Sequence, residues 1–181
     1  MLTTLPKTLR SLASLAVLAM FSTVACGDSP TAPSGSGNLV VQLTDDHTDN
    51  VEQVNIYFTS VTANSEGGPP ETMTLALSEN PQDLLLLRDA VIPLATAVVE
   101  PGDYVSLRIN LDADRSSVVE GGKTLPLQIP SGEIKILGGF TVSDNGTTTV
   151  TLDFDAEASL VRQGNGNWLL KPVIAMDVAG L

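Results

Sequence analysis

The chain has little with which to do covalent chemistry. It carries one cysteine, Cys26, and one histidine, His47, in 181 residues. A lone thiol excludes an internal disulfide, and in an exported protein an odd cysteine needs its own explanation. A lone histidine makes His47 the only candidate base for a Ser-His-Asp arrangement. It lies in TDDHTDN, a polar run that reads as a solvated loop. No GxSxG, HExxH, P-loop or GxGxxG occurs. The expectation is a protein that is not an enzyme; the alternative is a hydrolase of unrecognised type, which would lose its turnover in His47→Ala. Basic residues are also scarce, nine against 21 acidic ones, for a net charge of −12. That balance argues against nucleic acid and against anionic lipid headgroups as partners. No apolar run reaches the roughly 20 residues that a spanning helix needs.

What is present begins with the amino terminus. Lys7 and Arg10 form a short positive region without acids, and the apolar stretch Ser11–Phe21 follows. Small residues then lead to Cys26. This is the three-part layout of a secretory signal peptide. Thr23-Val24-Ala25-Cys26 resembles a bacterial lipobox, in which the cysteine becomes the first mature residue and carries the lipid. An anchor of several acyl chains holds firmly, at about 0.8 kcal/mol per buried methylene. The resemblance implies residues 1–25 as signal peptide and attachment to the cell envelope through the membrane, at the periplasmic face or the cell surface. Gly27 replaces the Asp that favours the inner membrane in enterobacteria, which points to the outer membrane. Removing residues 1–25 takes two basic residues and no acids, so the mature net charge is −14. Residues 26–37 are the lipidated cysteine and a Gly, Ser, Pro and Thr linker that cannot fill a core. Residues 38–181 are expected to form one domain.

In that domain alternation dominates. Val54, Ile56 and Phe58 alternate with polar neighbours; so do Met73, Leu75 and Leu77, then Val105, Leu107, Ile109 and Leu111, then Val150, Leu152 and Phe154. Period two places one set in a core and the other toward solvent, as in half-buried strands. Gly121-Gly122, Asn145-Gly146 and Gly164-Asn165-Gly166 are hairpin signals between such runs. Glu100-Pro101-Gly102-Asp103 suits a type II turn. Tyr104 follows it in the manner of the tyrosine corner of sandwich folds. Leu84–Leu87 reads as a buried strand, with a helix capped by Asn80 and starting at Pro81 as the alternative. The expected fold is all-β with few or no helices: an antiparallel β-sandwich, immunoglobulin-like or transthyretin-like. The hairpin through Asn145-Gly146 would offer itself to another chain if it lay at a sheet edge.

The stretches LVVQLTDD (39–46), VNIYFTSVTA (54–63), DLLLLRD (83–89), PGDYVSLRINL (101–111) and LPLQIPSGEIKI (125–136) resemble domain-of-unknown-function family 4382. So does the long final block, FTVSDNGTTTVTLDFDAEASLVRQGNGNWLLKPVI (140–174). The resemblance covers nearly all of the mature domain. It implies a lipoprotein, in agreement with Cys26, and it supplies no catalytic residue.

Clustered carboxylates are the sharpest chemical feature. Asp45, Asp46 and Asp49 share one loop, Asp112 and Asp114 follow a strand, and Asp153, Asp155 and Glu157 end another. In a strand Asp153 and Asp155 share a face about 7 Å apart. Calcium takes six to eight oxygens, commonly from several loops, so Asp45, Asp46, Asp112, Asp114, Asp153 and Asp155 are the candidate ligands. The run lacks EF-hand spacing, and an acidic solvated rim is the plain alternative. Tyr57 and Trp168 are the aromatics left over for a glycan, with Trp168 expected to be packed into a strand. The function read from sequence is a lipid-anchored envelope domain in a non-catalytic binding, adhesion or scaffold role. It needs no cofactor, and its partner is an envelope protein or a glycan. A calcium-stabilised surface adhesion module is the alternative.

Overall fold

Leu39, Val41 and Leu43 are buried in β1 (Gly37–Asp46), and the residues between them face outward. The same period repeats through the chain and fixes which face of each strand meets the core. The computed structural model describes residues 35–46 and 50–180. The expected signal peptide, Cys26, most of the linker, His47 and Asp49 lie outside the described residues.

Fourteen strands among the described residues form two sheets. In order, the larger holds β10 (Glu133–Val142), β7 (Gly102–Leu111), β3 (Phe58–Ser65), β4 (Glu71–Leu75), β6 (Ile92–Val99), β1, β11 (Thr147–Asp155) and β14 (Ile174–Gly180). The smaller runs β12 (Leu160–Arg162), β13 (Trp168–Leu170), β9 (Lys123–Gln128), β8 (Ser117–Glu120), β2 (Gln53–Ile56) and β5 (Gln82–Asp83). The only α-helix among the described residues is the single turn α1 (Ala156–Ser159). The fold is mostly β, with both sheets curled and the larger one nearly a barrel. The expectation of antiparallel pairing fails in two places: β1 with β11, and β9 with β13, run parallel.

Connectivity divides the larger sheet into two ends. At one end the chain turns back at once, through 66–70, 100–101 and 143–146. At the other it leaves on four excursions. Residues 47–57 supply β2, 76–91 supply β5, 112–132 supply β8 and β9, and 156–173 supply α1, β12 and β13. The smaller sheet is built wholly from these excursions. One apolar core runs through both: Leu107 and Leu152 of the larger sheet belong to the same buried cluster as Val118, Leu127 and Leu170 of the smaller. Burying each such leucine contributes about 1.5–3 kcal/mol.

Three local readings are corrected. Leu84–Leu87 is one 3-10 turn, not a strand. Its cap is Asp83, whose carboxylate accepts from Leu85 N–H, and not Asn80. The i, i+3 spacing buries Leu84 and Leu87 and leaves Leu86 69% exposed. In β7, Val105 is exposed while Tyr104, Ser106, Leu107, Ile109 and Leu111 are buried. Val105 is itself the extra residue of a bulge against β3, where the adjacent Asn64 and Ser65 pair with Ser106 and Tyr104, and β10 carries a second bulge opposite it, between Leu137 and Phe140. In the 143–146 turn the central pair is Asp144-Asn145, because Gly146 N–H donates to Ser143 O and Asn145 carries the positive φ of 56°. β10 and β11 do not pair with each other, so the hairpin expected there is a turn between separated strands of the larger sheet. The other two expected hairpins form, β8 with β9 and β12 with β13. Gly121 and Gly122 both have positive φ between the paired Glu120 and Lys123, as a type I′ turn requires. Tyr104 Oη–H donates to Glu100 O at 2.9 Å and its ring stacks on Phe140, the corner arrangement anticipated from sequence.

Candidate functional site

The acidic runs sit where strands of the larger sheet end and excursions begin. β1, β7 and β11 all finish at that end, so Asp45, Asp46, Asp112, Asp114, Asp153 and Asp155 share one end of the molecule. They do not share one side of it. Three strands separate β7 from β1 in the sheet order, and curling carries them apart. Asp46 pairs in register with Asp155 on the neighbouring β11, and Thr44 with Asp153. Among the described residues no three acids or histidines converge to hold a metal ion.

Several of these carboxylates hold backbone instead. Asp45 is buried, and its Oδ1 accepts from Ala156 N–H at 3.1 Å. Asp155 caps α1, accepting from Ala158 N–H at 2.8 Å. Asp112 accepts from the N–H groups of Asp114 and Arg115, closing the turn that leads into β8. Each satisfies donors that a tight change of direction leaves unpaired. Asp114 and Asp153 remain exposed on the rim.

The two leftover aromatics are kept apart. Trp168 is buried in β13 and Tyr57 is half-buried just after β2. β9 and β8 lie between those strands, roughly 14 Å at about 4.8 Å per spacing. An arginine covers each ring: Arg115 stands 3.5 Å from the centroid of Tyr57, and Arg162 stands 5.1 Å from that of Trp168. These are cation–π contacts, and each occupies one face of its ring.

Arg162 also donates to Glu120 Oε2 of β8, joining the first and fourth strands of the smaller sheet. That hydrogen bond, more than the accompanying charge attraction, holds the Glu120 carboxyl below its usual range. The indole N–H of Trp168 lies close enough to assist, although it falls outside full hydrogen-bond geometry. Glu120, Gly121, Lys123, Leu125, Arg162 and Gly166 line an open cleft of about 370 Å³. A second cleft, about 500 Å³, lies on the outer face of the larger sheet, where Asn38, Val40, Thr74, Thr96, Val98 and Thr147 line it. No lining residue there is charged, on a chain of net charge −12. Sequence reasoning missed both clefts. Glu120 and Lys123 flank an evident hairpin, but the pairing that brings Arg162 to them spans 42 residues.

The family model described as Domain of unknown function (DUF4382) matches residues 36–172. Neither the curated proteins nor the solved structures give a match. The matched span opens one residue before β1 and closes just short of β14. The chain belongs to the DUF4382 family.

Proposed function

We propose that this DUF4382 member is exported, lipid-anchored at Cys26, and acts in the cell envelope as a non-catalytic binding or scaffold domain. The observation that carries the reading is the order of parts along the chain. A lipobox-like Thr23-Val24-Ala25-Cys26 is followed by a linker without core-forming residues, and β1 of a well-packed domain starts at Gly37. Such an order gives an acyl anchor, a spacer and a presented body. The described acids support a role without catalysis, because Asp45, Asp112 and Asp155 are engaged in holding backbone. The two open clefts are surfaces on which binding can occur without chemistry. Layering of the two sheets as a sandwich is part of this reading, supported by the core that they share.

The test is metabolic labelling of the full chain in a bacterial host with an alkyne-bearing fatty acid. Wild-type protein is expected to take up the label and to partition with membranes. Cys26→Ser is expected to lose both. An unlabelled wild type, or a labelled Cys26→Ser, would refute the anchor.

A further inference from the structure

We propose that β14 is an exchangeable strand, and that a second copy of this chain accepts it: β14 of one molecule lies on β11 of another. The strand is unlike its neighbours. It pairs antiparallel with β11 over seven residues, from Thr148↔Gly180 to Phe154↔Ile174, yet none of its own residues is buried. Its core-facing side chains are Ile174, Met176 and Val178, opposite the buried Phe154, Leu152 and Val150. Ile174 and Met176 are only partly covered, and Val178 is 38% exposed. Backbone hydrogen bonds therefore hold β14 with little of the apolar burial that fixes the other strands of the larger sheet.

The far side of β14 meets no strand partner. β14 and β10 are the two edges of the larger sheet, and Met176 against Gly138 bridges them by side chain alone. Release of β14 is bounded at its start. Ser159, fully buried, accepts Val173 N–H through Oγ and Lys171 N–H through its carbonyl, and Val173 O accepts from Asp155 N–H. The contacts of Ser159 and Asp155 thus hold the chain through Val173, and the exchanged segment begins at Ile174. The occupant follows from register. Vacating β11 leaves an edge that accepts seven pairs in one phase, with apolar side chains at alternate positions. The same seven residues of another copy restore every bond that was broken, which makes exchange of an identical element a low-cost route to a dimer.

The experiment mixes two differently tagged full-length chains in detergent, both carrying Cys26→Ser so that its outcome is independent of lipidation. One carries Thr151→Cys and the other Asp177→Cys, residues that face each other across β11 and β14. The expected result is a disulfide-linked dimer bearing both tags that accumulates with time and with concentration. Chains with Asn38→Cys and Thr147→Cys, opposite each other on β1 and β11, are expected to give none. Exchange is overturned if the mixed pair stays unlinked while the double variant Thr151→Cys/Asp177→Cys closes within one chain. It is equally overturned if the control pair links as fast, which would mean random collision.

Discussion

The two ends of the larger sheet are made by different means. At the turn end, three short connections reverse the chain using residues that are neighbours in sequence. Asn145 supplies a positive φ, and the Tyr104 hydroxyl reaches back four residues to Glu100 O. At the excursion end, contacts are made between residues far apart in the chain. Asn80 accepts from Phe58 N–H and donates to Phe58 O, Ser116 Oγ accepts from Tyr57 N–H, and Asp83 Oδ1 accepts from Val54 N–H. Local turns need only the right residues, whereas the excursions need the whole larger sheet in place before their partners meet. Every acidic run and the charged cleft lie at the excursion end, on the part of the molecule that depends on the rest.

Four substitutions sharpen or break that contrast. The largest effect is expected from Leu127→Ala, in the smaller sheet, at about 2–5 kcal/mol. Calorimetry should show one transition moved to lower temperature, because Leu127 shares a core with Leu152. A separate early transition would make the excursion end a unit that melts alone. Next, Asn80→Ala against Tyr104→Phe compares the two ends directly by urea denaturation. Asn80→Ala strips partners from both backbone groups of Phe58, a loss of about 2 kcal/mol. Tyr104→Phe removes one hydrogen bond at the turn end, about 1 kcal/mol. The reverse order would mean that the turn end carries more of the stability. Tyr104→Phe should also flatten the alkaline limb. Burial, with Glu71 and Glu100 nearby, raises the phenol above its ordinary 10.0, so wild type loses stability as pH rises past the unfolded value.

The smallest effect is expected from Arg162→Gln. Glu120 titrates lower in the folded chain than in the unfolded one. Its contribution is therefore present above the unfolded carboxylate range and lost as pH falls through the folded value. Melting temperatures from pH 7 to pH 3 should fall less steeply in Arg162→Gln than in wild type. The exposure of the pair keeps the change at pH 7 small. Parallel pH profiles would show that the bridge across the smaller sheet carries no weight.

How much was legible follows the same division. The alternation of Val150, Leu152 and Phe154 and the glycines of Gly121-Gly122 were readable because strand faces and hairpins are decided within a few residues. Leu84–Leu87 was misread, since four consecutive leucines fit a strand and a 3-10 turn equally until Asp83 caps one of them. Val105 breaks the alternation because it is the extra residue of a bulge against β3, opposite a second bulge in β10, and neither is visible in the local pattern. That Asp112 and Asp114 follow a strand and Asp153 and Asp155 end one was readable from the local alternation. Their separation around the curl follows from sheet order, and no local pattern encodes that order. The cleft through Glu120, Lys123 and Arg162 was hidden for the same reason.

The place of β1 has a mechanical consequence. It is an inner strand, bonded to β6 on one side and to β11 on the other, with nine register pairs to β11 alone. Tension arriving through the residues before Gly37 enters that strand along its length. Its bonds on both sides then carry the load together in shear, and they are not unzipped one after another from an edge.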